Sequence, residues 1–181
     1  MSSGFRNAVV LCALASLSAC KRQESPAERL LALAPHSARP IDARLTGFDW
    51  QEARVQRGPS TSLLDPSRLE LAGAASTVIQ SLTNDSSARA RHEAGAAYLL
   101  IERDRDAIDA LESAVRQSPK TAAYWSDLAA ARYTLAVSEK RPHELPQALA
   151  DADHALRLHP SLPDALFNRA LIIESLGITE A

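Results

Sequence analysis

The sequence predicts an all-α chain: a row of helix–turn–helix units preceded by an export signal and a proline-rich, partly extended arm. Composition is the first reason. Hydrophobic residues make up 46% of the chain but aromatics only 4%, and the excess is alanine and leucine, which lose least entropy on entering a helix. Periodicity is the second. Gly95 and Ala129 lie 34 residues apart, while Ala107 and Ala148, Ala114 and Ala155, Pro119 and Pro160, and Ala129 and Ala170 are each 41 apart. A period of this size marks stacked units, none of which can bury its apolar face alone. The net charge of −2 supplies no basic field for phosphates, so no nucleic-acid partner is expected.

Residues 1–19 read as a signal peptide. Arg6 gives a positive start, and an apolar run from Ala8 to Ala19 follows. That run is shorter than the roughly 20 residues that span a bilayer, and it suits a signal core. It ends in Leu17-Ser18-Ala19-Cys20, which resembles the lipobox of bacterial lipoproteins. In that family the chain is cut before the cysteine, and the thiol and the new amino terminus are acylated. The resemblance implies lipidation at Cys20 and a membrane anchor in the bacterial cell envelope. Lys21 stands where an aspartate would mean inner-membrane retention, so by likeness to enterobacterial lipoproteins the outer membrane facing the periplasm is favoured. An ordinary secretory signal cut near the same place is the alternative. Cleavage removes Cys12 and leaves Cys20 as a lone exported cysteine, which lipidation would account for.

Residues 20–66 form the tether. Pro26, Pro35, Pro40, Pro59 and Pro66 break any long helix. Glu28 to Ala34 fits a short helical turn. Ile41 to Val55, with Leu45, Phe48 and Trp50 around Gly47, fits a strand or loose hairpin; an unstructured spacer fits as well. Phe48 and Trp50 are the residues expected to dock part of this arm on the helices. Residues 67–87 hold a degenerate leading helix, Ser67 to Thr83, with Leu69, Ala72, Val78, Ile79 and Leu82 expected inward.

Three repeat units follow. The first, 88–121, carries Ala94-Gly95, Tyr98, Ala107, Leu111, Ala114 and Pro119. The second, 122–162, carries Trp125, Leu128, Ala129, Ala148, Ala155 and Pro160. The third begins in 163–181 with Leu166, Asn168, Ala170, Ile173 and Gly177. A seven-residue insertion between Arg132 and Ala148, placed over Val137 to Pro146, turns the interval of 34 into 41. This pattern resembles the tetratricopeptide repeat (TPR), in which small residues let paired helices approach closely and a proline stops the second helix. Arg91 departs from the usual tryptophan. Arg132 and Ala152 stand where larger apolar groups are usual, so looser packing is expected in the second unit. In the last helix, Leu166, Ala170 and Ile173 are expected to face the preceding pair. Phe167, Leu171, Ile172 and Leu176 are then expected to lack a partner, as in the N-terminal piece of a longer protein.

Arg39 to Phe48 and Ala165 to Leu171 also resemble the front end of large bacterial TPR proteins, many of which carry a caspase-like CHAT peptidase domain. That likeness implies an alternative function, the recognition arm of a peptidase whose catalytic domain lies beyond this chain. Within the chain itself G-x-S-x-G, Walker, G-x-G-x-x-G and H-E-x-x-H motifs are absent, so neither catalysis nor a cofactor is expected. His154 and His159, near Asp151 and Asp153, do not share a helical face, and no metal site is expected. Asp104, Arg105 and Asp106 read as a solvated charge run. By TPR resemblance the first helix of each pair lines a concave face that takes a peptide or helix. The facing residues are Arg89, His92, Ala96 and Leu99, then Ser126, Ala130 and Tyr133, then Asp164, Phe167 and Leu171. The Lys/Asn/Arg set that clamps a C-terminal carboxylate is missing. The expected function is a membrane-anchored scaffold for a protein or peptide partner.

Overall fold

The computed structural model describes residues 26–33, 43–46, 66–82 and 84–177. Among these residues every regular element is a helix, and there is no strand. The helices are α1 (Pro26–Leu33), α2 (Pro66–Ser81), α3 (Ala88–Leu100), α4 (Asp104–Gln117), α5 (Ala122–Ser138), α6 (Leu145–Leu158) and α7 (Pro163–Leu176). A short 3-10 turn, Pro142–Glu144, leads into α6. The signal segment, Cys20, Phe48, Trp50 and most of the expected strand lie outside the described residues.

Local chemistry sets the helix ends. Proline opens α1, α2 and α7 and sits in the first turn of α6, where its missing N–H is not needed. The Ser87 hydroxyl accepts from the Ala90 amide at 3.2 Å and caps α3. α7 closes on Gly177, whose φ of 68° places it in the left-handed region that glycine tolerates.

Each helix packs on the next in the chain, most extensively α3 on α4 and α5 on α6, and α5 also meets α7. One apolar cluster runs through the pairs, from Leu30 in α1 through Leu71, Val78, Leu99, Leu111 and Leu128 to Ile172 in α7. The seven-residue difference between the 34- and 41-residue intervals divides in two. α5 has 17 residues against 13 in α3, a gain of four. The α5–α6 connection, residues 139–144, is three residues longer than the α3–α4 connection, residues 101–103.

Two inward faces differ from expectation. In α2 the buried stripe is Leu71, Ala75 and Val78, spaced four and three as a 3.6-residue period requires; Leu69 is 64% exposed and Ala72 is also exposed. In α7 the buried residues are Ala165, Asn168 and Ile172, and Leu171 and Leu176 pack on the core. Leu166 and Ala170 are the exposed ones. Ala170 follows Gly95 and Ala129 in the repeat, and Gly95 faces the second helix of its own pair, not the preceding pair.

Gly95 shows why that position is small. A Cβ there would lie 2.5 Å from Leu111 Cγ, the branch atom of a fully buried side chain. Gly95→Ala should therefore destabilise the fold. Overpacking costs about 1–3 kcal/mol and outweighs the gain of up to about 1 kcal/mol from helix propensity. A urea melt showing a more stable variant would contradict the close approach of α3 and α4.

Arg132 meets its polar needs by charge. Its guanidinium reaches Glu112 in α4 at 2.6 Å and Asp151 in α6 at 2.9 Å. The Nε–Oδ2 contact to Asp151 is off the hydrogen-bond line, so the two are ion-paired without a hydrogen bond there. Burial pushes the Asp151 carboxyl up to about 6, against the pull of Arg132 and a 3.3 Å contact from Gln147. A raised carboxyl means that the folded chain holds the proton more tightly than the unfolded one. Its stabilising contribution is therefore full below about pH 4 and is lost as pH rises through about 6. Between pH 4 and 7, wild type should lose stability relative to Asp151→Asn by on the order of 2–3 kcal/mol at most. Parallel pH dependences of the two denaturation midpoints would refute this.

Candidate functional site

Helices α3, α5 and α7 lie side by side, since α5 contacts both of the others. Across them runs the non-helical segment Ala43–Thr46 of the arm. Asn168 on α7, fully buried, grips it at Arg44. The Arg44 amide donates to Oδ1 at 2.7 Å, and Nδ2 donates to the Arg44 carbonyl at 2.8 Å. A residue presents its N–H and C=O to one partner in this way when its backbone is extended, as in a hydrogen-bonded antiparallel pair. Nδ2 also reaches the Ser126 carbonyl at 3.3 Å and the Ser126 hydroxyl at 3.4 Å, which fixes the amide against α5.

Asp127 on α5 holds the next step of the segment. The Thr46 amide donates to Oδ1 at 2.8 Å and the Thr46 hydroxyl to Oδ2 at 2.9 Å. His92 Nε2 on α3 lies 2.6 Å from the same Oδ2. A carboxylate only accepts, so Nε2 carries the proton in this bond. The His92 ring stacks on Tyr124 with centroids 4.5 Å apart. Asp127 is fully buried, and a buried carboxylate costs several kcal/mol unless donors surround it. Here three donors do so.

The segment's side chains divide between the core and the groove. Ala43 and Leu45 are fully buried and join the apolar cluster. The Arg44 guanidinium stands 4.0 Å above the centroid of the Phe167 ring, a cation–π contact. Burial and then the neighbouring Asp127 charge push the Asp164 carboxyl up, and Arg44 pulls it down.

Of the residues expected to line this face, His92, Ser126, Asp164 and Phe167 come together around the arm. Ala96, Leu99, Ala130 and Tyr133 are buried in the cluster that also takes in Ala43 and Leu45; the Tyr133 hydroxyl lies 3.3 Å from that of Ser175. Leu171 packs at the edge of the cluster. Arg89 is exposed and pairs with Glu93 at 2.7 Å. Expectation missed Asp127 and Asn168, which make the main contacts. A signal for them was present: they are 41 residues apart, like Ala129 and Ala170, and Glu93 lies 34 before Asp127. The 34- and 41-residue intervals thus link three polar residues, Glu93, Asp127 and Asn168. Among the described residues no group of three His, Cys, Asp or Glu is placed to hold a metal ion. His154 instead lies against Trp125, with centroids 4.2 Å apart.

No protein-family model matches the chain, and no curated protein matches it.

Asn168→Ala should release the arm at Arg44. Loss of both hydrogen bonds should cost about 1–3 kcal/mol and speed amide exchange at Arg44 and Thr46 more than in α4. Unchanged exchange at those two amides would contradict the contact.

Proposed function

We propose that the protein is an exported, lipid-anchored interaction module of the TPR type, whose first helices hold an extended segment of a partner protein. The 34- and 41-residue intervals and the helix pairs support the repeat assignment. Leu17-Ser18-Ala19-Cys20 after the apolar run supports the anchor. The observation that carries the reading is the two-point grip of Asn168 on the Arg44 backbone. A side-chain amide that pairs with both N–H and C=O of one residue holds a peptide chain as a neighbouring strand would. Such a face suits binding, because the residues around it are arranged to satisfy a backbone.

The test is a photo-cross-linking residue placed at Phe167, with Arg157 on the exposed side of α6 as control, in a bacterial host that exports the full chain. A discrete cross-linked protein from Phe167 alone is expected, in the membrane fraction, and Cys20→Ala should move the chain out of that fraction. Identical patterns from both positions would refute the binding face. An unchanged fractionation of Cys20→Ala would refute the anchor.

A further inference from the structure

We propose that the groove selects an extended partner segment of the form small–Arg–aliphatic–Ser/Thr, and that the chain's own Ala43–Thr46 holds this place until the partner displaces it. The inference deepens the interaction reading above and rests on it. Each position has its own determinant. The Asn168 amide takes the N–H and C=O of the arginine position, whatever its side chain. The guanidinium lies over Phe167, close enough to Asp164 to lower its carboxyl. A lysine would lose the planar stacking that a guanidinium makes on an aromatic face. The residues on either side, Ala43 and Leu45, are fully buried, so the first site admits a small side chain and the third an aliphatic one. Asp127 takes both the amide and the hydroxyl of the fourth residue, which selects serine or threonine, because only a hydroxyl on Cβ reaches the same carboxylate as its own N–H.

The charge of the groove points to the same ligand. Asp127 and Asp164 stand at its centre, and the segment seated there brings a cation. A helix is excluded as occupant, because its N–H and C=O groups are already bonded within it and point in opposite directions along the axis. The ligand is an extended stretch of protein.

The test uses the full-length chain in detergent and a fluorescein-labelled nonapeptide with the sequence of residues 40–48, read by anisotropy. Arg44→Glu repels the arm from Asp127 and Asp164 and opens the groove. The peptide should bind Arg44→Glu at least tenfold more tightly than wild type, and Phe167→Leu added to that variant should weaken binding about tenfold. A peptide with glutamate in place of its arginine, or alanine in place of its threonine, should lose binding. If circular dichroism shows that Arg44→Glu unfolds, Thr46→Ala, which removes only the hydroxyl contact, replaces it with the same ordering expected. Equal affinity for wild type and the opened chain would overturn displacement. Equal affinity for the arginine and glutamate peptides would overturn the arginine site. Failure of the nonapeptide while Phe167 still cross-links a protein would remove this ligand class and leave the interaction reading standing.

Discussion

The buried carboxylate of Asp127 is the constraint on which the arrangement around it depends. A charge removed from water must be surrounded by donors, and helix α5 alone cannot supply them, because its own amides are committed to the helix. One donor comes from His92 on the preceding first helix, and two come from Thr46 on the arm. The same group therefore joins α3 to α5 and draws in a segment far away in sequence. Asn168 completes the arrangement from α7, with one amide that satisfies the Arg44 backbone and the Ser126 carbonyl together.

The apolar interior plays a different part. Small residues at Gly95, Ala129, Ala148 and Ala155 let the paired helices approach, and large ones such as Leu111 and Leu128 fill the space between them. This packing sets where α3, α5 and α7 stand. It also takes in Ala43 and Leu45 of the arm. The polar positions are the stricter ones, because an unmatched group there is expensive, whereas an aliphatic contact tolerates exchange. Arg132 shows the same principle inside the array: a cation in an apolar slot is accommodated because Glu112 and Asp151 meet it from two neighbouring helices.

Much of the helical architecture was legible because it follows from spacing. The presence of helices could be read from alanines and prolines, and α5 with its following connection is seven residues longer than α3 with its own. Faces were harder to read. Leu69 and Leu71 are equally apolar, and only their phase relative to Ala75 and Val78 tells which one is buried. α7 was ambiguous for a related reason, being apolar on several sides. The site was half legible. His92, Ser126, Asp164 and Phe167 follow from which helix faces which, but Asp127 and Asn168 are buried polar residues, and a hydrophobic pattern passes over those. Their partners could not be foreseen, because Arg44 and Asn168 are brought together by a fold and not by a period.

That pairing spans 124 residues, whereas the described helices from α2 to α7 meet others no more than two along the chain. The helix pairs form through local contacts, which are quick to find. Synthesis runs at about 5–20 residues per second, so Asn168 is made roughly 6–25 s after Arg44. The segment made early is thus the one whose docking site is finished late, and throughout that interval the growing chain carries an arm without a groove.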